Sequence, residues 1–477
     1  MFMDLVVVFF AVLYSMSMVL LLLYSLSQLD LTLIFLRRSF RKESERKELP
    51  TPPRVTIQIP VYNERFVVTR ILDAVLNIRY PQELLDIQIL DDSTDETTAL
   101  IEAWVAAHKG CGVPIRTVRR SHREGFKAGA LAEGLRFSNG VLVAVFDADF
   151  IPPQDFLERT VHYFSNHQVG VVQTKWGHIN EQENLLTRLQ AFGLDAHFTI
   201  EQTARMQVGS FMNFNGTAGI WRRSCIDDAG GWSADTLTED LDLSYRAQLK
   251  GWRIVYEGSV LCPAELPSTI RSVVAQQGRW NKGGAETALK LLGIVLRAPL
   301  TIRQKIHAFF HLGASSVFLV LLVGAVSSIF LFQLAGAEQQ VVRVLDLGMF
   351  SFAGFLAIFF FYFVSGKKNN QPVSVLFPAF LLLNMGLSLK HSKAVLSGWF
   401  GRKSEFVRTP KLAGQAVTSS PYLRKGNRLS AILELLCGLL FLWMAFESLQ
   451  SGFLLFTAMH VLLGIGLCWV GLLIIKD

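Results

Sequence analysis

Val141-Leu142-Val143-Ala144-Val145-Phe146-Asp147-Ala148-Asp149 joins an unbroken apolar run to two carboxylates at alternate positions. The run reads as a buried strand. Alternate residues of an extended chain face the same way, so Asp147 and Asp149 can point at one site. A hard divalent cation, Mg²⁺ or Mn²⁺, favours carboxylate oxygens and bridges readily to phosphates. The pair is therefore a candidate metal site, with Asp147 also placed to meet substrate.

Working towards the N-terminus, the same pattern recurs. Val55-Thr56-Ile57-Gln58-Ile59 reads as a strand and residues 64–78 as a helix. Ile87-Gln88-Ile89-Leu90 is a second strand ending on Asp91-Asp92, and 95–108 suits a helix with Ser93 or Thr94 near its start. Ile115–Val118 is a further strand. Such alternation predicts an α/β domain with a mostly parallel, doubly wound sheet. Ligands of these sheets bind beyond the carboxyl ends of the strands. That edge would gather Asp91-Asp92 with Asp147 and Asp149. Pro60, Tyr62, Asn63 and Glu64 sit where the first strand ends, a junction that offers backbone donors to an anion or a base. Asn63 could equally cap the helix.

Three later motifs complete the set. Lys127, in His122-Arg123-Glu124-Gly125-Phe126-Lys127, is placed to touch a phosphate. Glu239-Asp240 follows Thr238, which could cap a helix whose positive end favours the acids. Its functional reading makes Asp240 a general base towards an acceptor hydroxyl. Asn215-Gly216-Thr217-Ala218-Gly219, before it, looks like a close backbone approach to a ligand. In Gln276-x-x-Arg279-Trp280, Gln276 and Arg279 share a helix face. Arginine clamps a diphosphate with two parallel bonds, and tryptophan offers an apolar face to a sugar ring.

Composition frames these motifs. Of 477 residues 51% are hydrophobic and 18% charged, with a mean hydropathy of +0.35. That balance fits one soluble domain joined to a membrane part. The formal charge is +7, but the basic residues crowd beside apolar runs. They orient a membrane protein rather than bind nucleic acid. Cys111, Cys225, Cys262, Cys437 and Cys468 show no metal-type spacing, and reduced thiols in a cytosolic domain are expected.

The domains read as an N-terminal transmembrane helix over 1–36, a soluble block over 37–304 and a membrane region over 305–477. A cleaved signal peptide does not fit the first run, which is long and followed by Arg37-Arg38. Later apolar runs cover about 306–334, 345–364, 373–389, 429–447 and 453–475. Segment 37–47 carries six basic residues, 365–372 two and 402–428 seven, whereas 335–344 carries only Arg343. The positive-inside rule puts the first three in the cytosol. Parity then makes 373–389 an interfacial helix continuing to Trp399, with Lys390, His391 and Lys393 towards water. Five crossings result, with the N-terminus outside.

The ordered set of Asp-Asp, Asp-x-Asp, Glu-Asp and Gln-x-x-Arg-Trp motifs resembles the processive members of glycosyltransferase family 2, the cellulose-synthase-like group. Phe214–Gly219 and Gln276–Trp280 look nearest to its mannan and glucomannan synthase-like branch. The resemblance implies a nucleotide-sugar-binding fold of GT-A type, inserted between transmembrane helices. It assigns Asp91 or Asp92 to the nucleotide, Asp149 to the metal, Asp240 to the base, and Arg279 and Trp280 to diphosphate and acceptor sugar. It also implies a gating loop. Phe406-Val407-Arg408-Thr409-Pro410-Lys411 matches its Phe406, Thr409 and Lys411, with Arg408 where the pattern has valine. No cyclic-dinucleotide-binding domain is read in the chain.

The expected activity is inverting transfer of a hexose from UDP-glucose or GDP-mannose to a polysaccharide, β-1,4 by resemblance, with export through the membrane helices. The cytosolic face of a plasma membrane or of the Golgi would hold the catalytic domain, depending on the kind of cell. An alternative is transfer of one sugar to a lipid such as ceramide or polyprenyl phosphate. A non-enzymatic anchor predicts broken motifs, and all four are intact.

Overall fold

The computed structural model describes residues 2–38, 51–335, 339–402, 411 and 428–477. Seven strands form one sheet: β1 Val55–Val61, β2 Leu85–Asp91, β3 Ile115–Arg119, β4 Leu142–Val145, β5 Val169–His178, β6 Gly219–Arg222 and β7 Arg253–Ala264. Their order is β3-β2-β1-β4-β6-β5-β7. The first four are mutually parallel, β6 runs antiparallel to both neighbours, and β5 pairs in parallel with β7. The mostly parallel sheet expected from the sequence is present.

β1 and β2 are buried almost throughout, as strands covered on both faces must be. Their polar residues meet partners across the register. Thr56 Oγ1 donates to Asp86 Oδ1 at 2.9 Å, and Gln58 Nε2 to Gln88 Oε1 at 3.0 Å. Burial raises the Asp86 carboxyl above its ordinary value, and the Thr56 bond opposes this. One apolar cluster, with Ile57, Ile71 and Phe146, fills one side of the sheet. A second, with Val145, Phe214 and Trp221, fills the other.

The helices following β1 and β2 run Val68–Leu76 and Thr97–Ala107, shorter at both ends than read from sequence. Neither Asn63 nor Ser93 or Thr94 is the residue that starts them; Val67 and Glu96 are. The reason is that the β1 and β2 ends bond each other. Asn63 N–H donates to Ser93 Oγ at 2.9 Å, and Asn63 Oδ1 accepts from Thr94 N–H at 2.8 Å.

Six helices are long and apolar enough to cross a membrane among the described residues. The run at 373–389 belongs to one continuous helix, Val373–Trp399, with Pro378 inside it. Two of the three polar residues expected to face water do not. Lys390 pairs with Glu434 of the helix Arg428–Gln450, and His391 is buried against Phe318. Only Lys393 is exposed.

Candidate active site

The carboxyl ends of β1, β2, β4 and β5 and the helix Ile270–Arg297 surround one cavity. Its wall contains Pro60, Tyr62, Glu64, Asp92, Lys127, Asp147, Asp149, Glu239, Asp240, Gln276, Arg279, Trp280 and Lys411. Residues from Pro60 to Lys411, far apart in sequence, are thus gathered at one place.

Two expected ligands are not on that wall. Asp91 is 1% exposed; its Oδ1 accepts from Ser93 N–H at 2.9 Å and its Oδ2 from the Thr98 hydroxyl at 2.8 Å. Asn63 lies in the left-handed region, φ +56°, bonded as described above. Both brace the two strand ends from behind. Asp92, one residue on, faces the cavity because side chains alternate. Arg120 forks onto it, with Nε donating to Oδ1 at 3.0 Å and a second bond reaching Oδ2.

Lys127 organises the centre. Its ammonium lies 2.5 Å from Asp147 Oδ1, donates to the Gly216 carbonyl at 2.8 Å and lies 3.9 Å from Glu239. Burial works against this charge, but Asp147 and Glu239 overcome it and hold the pKa above the usual lysine value. The Asp147 backbone N–H donates to Thr217 Oγ1 at 2.8 Å. Gly216 has φ +81°, and a Cβ there would stand 2.9 Å from Asp240 Oδ2. Gly216 thus brings the backbone of Asn215–Gly219 close to Asp240, and Asn215 and Gly216 both line the cavity.

Glu239 and Asp240 open the helix Glu239–Leu249. Thr238 is its cap residue, but the hydroxyl meets Thr287 at 3.1 Å instead of the helix backbone. Together with the Leu237 N–H bond to Glu286 Oε2 at 2.9 Å, this fastens the turn to Ile270–Arg297. Burial, then the Glu239 charge, pushes the Asp240 pKa up to about 7, while Lys127 opposes the rise. A carboxylate so poised can take a proton near neutral pH. Burial lowers the Arg279 pKa to about 10 against the pull of Asp147, Glu239 and Glu64. The guanidinium stays charged at neutral pH, beside both acidic motifs. Trp280 is 38% exposed and lines the wall close by.

Lys411 enters from the segment after Trp399. It lies 2.7 Å from Asp149 Oδ2 and donates to the Glu265 carbonyl at 2.5 Å. Phe406 and Thr409 of the same expected loop lie outside the described residues. No cluster of three metal-type ligands occurs among the described residues. The donors nonetheless suit a hard cation: Asp147 and Asp149 each already hold a positive charge, from Lys127 and Lys411.

Trp176 and His178, at the end of β5, also line the cavity and were not singled out by sequence. Their i, i+2 spacing after an apolar strand was the available signal. Arg123 was likewise passed over; its guanidinium lies 3.4 Å from the centre of the Tyr62 ring.

A sheet that ends in paired carboxylates, with an arginine and a candidate base over one cavity, suits group transfer from a phosphorylated donor. Residues 52–283 match the family model "Glycosyltransferase like family 2". Over 267 residues the chain is 44% identical to glucomannan 4-beta-mannosyltransferase 1 of Oryza sativa subsp. japonica, covering 54% of this chain and 51% of that protein. A longer match reaches glucomannan 4-beta-mannosyltransferase 2 of Arabidopsis thaliana, 37% identical over 377 residues, 76% of this chain and 68% of that one. A probable glucomannan 4-beta-mannosyltransferase 9 of Oryza sativa subsp. japonica matches at 34% over 80% of this chain and 74% of its own length. The chain spans about half the length of the first of these curated relatives. In fold it is similar to a mannosyltransferase of Pyrobaculum calidifontis solved with GDP-Man and Mn²⁺, with a TM-score of 0.56, 19% identity, 82% of this chain and 100% of that one covered. The chain belongs to glycosyltransferase family 2, has a GT-A-like fold, and is related to the cellulose-synthase-like glucomannan 4-beta-mannosyltransferases.

Proposed function

We propose that this membrane protein is an inverting hexosyltransferase that extends a β-linked polysaccharide from a nucleotide sugar, with GDP-mannose the first donor to test. One observation carries the reading: Asp240, held near neutral pKa, shares a cavity with Arg279 and the Asp147/Asp149 pair. The similarity to glucomannan 4-beta-mannosyltransferases supports mannose and the β-1,4 linkage.

Asp240 takes the proton from an acceptor hydroxyl, and that oxygen attacks the anomeric carbon as the bond to the diphosphate breaks. Inversion follows from a single in-line displacement. Arg279 receives the charge that develops on the departing diphosphate, and Lys127 keeps Asp147 and Glu239 from repelling it. Trp280 supplies a flat apolar face for the acceptor ring. Asp92, beside Arg120, and Tyr62, beneath Arg123, suit the nucleoside. Asp147 and Asp149 would hold Mg²⁺ or Mn²⁺, whose charge would offset that of the diphosphate.

The domain plan of residues 1–36, 37–304 and 305–477, with a cytosolic catalytic domain and five crossings, is retained in this reading. Both ends of Val373–Trp399 touch the catalytic domain, which supports a helix that lies along the membrane. Near its start, the Phe380 ring packs edge-on against Phe192 of Leu185–Ala196, ring centres 5.6 Å apart. Near its end, Gly398 packs on the Lys282 carbonyl, and Lys282 bonds the Arg402 carbonyl.

A donor screen with linkage analysis tests the function. Purified protein given GDP-mannose should yield a ladder of β-1,4-linked products. A single short adduct on lipid, or no transfer from any nucleotide sugar, would overturn the reading.

A further inference from the structure

Asn215 stands on the wall of the catalytic cavity beside Gly216, whose backbone lies against Asp240. Its amide is oriented from behind. Oδ1 accepts from Asn213 Nδ2 at 2.7 Å and lies 3.2 Å from His197 Nε2. The Asn215 backbone N–H donates to Gln173 Oε1 at 2.8 Å. With the oxygen held twice, Nδ2 is left buried and has no hydrogen-bond partner among the described residues. A buried donor in that state is unfavourable, and its place on a substrate cavity suits a ligand oxygen. Asn213 Oδ1 is unpaired too, but Asn213 is not on the cavity wall.

The contacts behind Asn215 lead to the first membrane-type helix, Phe2–Arg38. His197 Nδ1 lies 3.0 Å from Glu201 Oε2, within the π-turn His197–Gln202. Such turns are uncommon and concentrate at functional sites. Burial works to raise the Glu201 carboxyl, but His197, Arg205 and Gln28 together hold it below its ordinary value. A carboxylate and an amide oxygen both accept, so the His197 ring donates to each. Gln28 of the first helix bonds Glu201 and also the Tyr24 oxygen one turn before it. Two residues on, Asp30 accepts from Arg303 Nη2 at 2.8 Å and lies 2.9 Å from His307 Nε2. His307 Nδ1 in turn lies 2.9 Å from Ser210 Oγ. The helix thus holds the segment that ends in Asn215 at two points, Glu201 and Ser210.

We propose, resting on the sugar-transfer reading, that the first membrane-type helix positions the active site through Gln28, Glu201 and His197, so that Asn215 Nδ2 meets a sugar hydroxyl oxygen beside Asp240. A hydroxyl suits this place, because its oxygen accepts from Nδ2 while its hydrogen is free for a carboxylate. Either the acceptor sugar or the donor sugar can supply it. Asn215 touches the sugar. His197, Glu201 and Gln28 act through Asn215 and are positioning residues.

The test uses the full chain in phosphatidylcholine nanodiscs with GDP-mannose and mannohexaose, each varied in turn. Asn215→Ala should lower kcat/KM about fivefold for the sugar it holds, the worth of one neutral hydrogen bond. A raised mannohexaose KM marks the acceptor; a raised GDP-mannose KM with unchanged GDP affinity marks the donor sugar. His197→Phe should lose as much, and His197→Gln, which keeps a donor at the Nε2 position, should recover most of it. Asn215→Ala combined with His197→Phe should lose no more than Asn215→Ala alone. Gln28→Leu should cost less and be equally non-additive with Asn215→Ala. Melting curves and GDP binding monitor the fold. Asn215→Asp, which keeps both bonds to Oδ1 and removes only the donor, serves if Asn215→Ala does not fold. Unchanged kinetics in a folded Asn215 variant, or additive losses in the double variants, would overturn the proposal. Calorimetry with mannohexaose and with GDP-mannose reads the same contact without turnover. A wild type that binds these sugars but transfers nothing therefore counts against the sugar-transfer reading alone.

Discussion

The backbone of Gly216 lies against the carboxylate of Asp240, so near that a Cβ would stand 2.9 Å from Oδ2. The same residue holds φ +81°, which L side chains rarely adopt, and its carbonyl accepts from Lys127. Gly216→Ala should therefore fold, lose on the order of 1 kcal/mol of stability, and lower kcat more than it raises the donor KM. Steady-state kinetics beside a melting curve check this. Unchanged kcat would mean that Gly216 does not set the position of Asp240.

The pH dependence follows from Asp240. A base must be unprotonated to act, and its pKa is about 7. Activity should fall about tenfold per pH unit below that value and level off above it. Stability runs the other way. A carboxyl whose folded pKa is raised contributes stability below its unfolded value, and that contribution is lost as pH rises through the folded value. Asp240→Asn should accordingly melt higher than the wild type at pH 8, with a smaller difference at pH 5. A lower melting temperature for the variant at pH 8 would contradict the buried-acid assignment.

Neighbouring charges should move that midpoint in opposite directions. Lys127 lowers the Asp240 pKa and Glu239 raises it. Lys127→Gln should shift the pH–rate midpoint upward, and Glu239→Gln should shift it downward. A pH profile of residual activity for each variant decides the matter. Shifts of the same sign in both would show that a different group titrates.

The carboxylate pair makes a prediction for metals. Chelation should abolish transfer, and Mn²⁺ or Mg²⁺ should restore it. Calorimetry with GDP separates binding from turnover: Mn²⁺ should tighten GDP binding to the wild type and not to Asp149→Asn. Equal GDP affinity with and without metal would remove Asp147 and Asp149 from that role.

Much of the site was legible because its residues follow strands of plain pattern. β2 and β4 lead into acids, Asp91-Asp92 and Asp147, and their parallel order beside β1 puts those acids on one edge. The split between Asp91 and Asp92 was not legible. Both follow the same strand, and only the Ser93 and Thr98 bonds show that Asp91 is occupied. β6 was hidden by its length: Gly219–Arg222 has too few residues to show alternation, yet it sets the antiparallel step beside β4. The pairing of Lys390 and the burial of His391 leave no local trace, because their partners, Glu434 and Phe318, lie on other helices.

One substitution decides whether Asp240 is the base. Asp240→Asn keeps the size of the side chain and removes its basicity. With GDP-mannose and purified protein, turnover should drop by about 10²–10⁴, while GDP binding and the melting temperature are kept or improved. Near-normal polymer formation by Asp240→Asn would show that another group takes the proton.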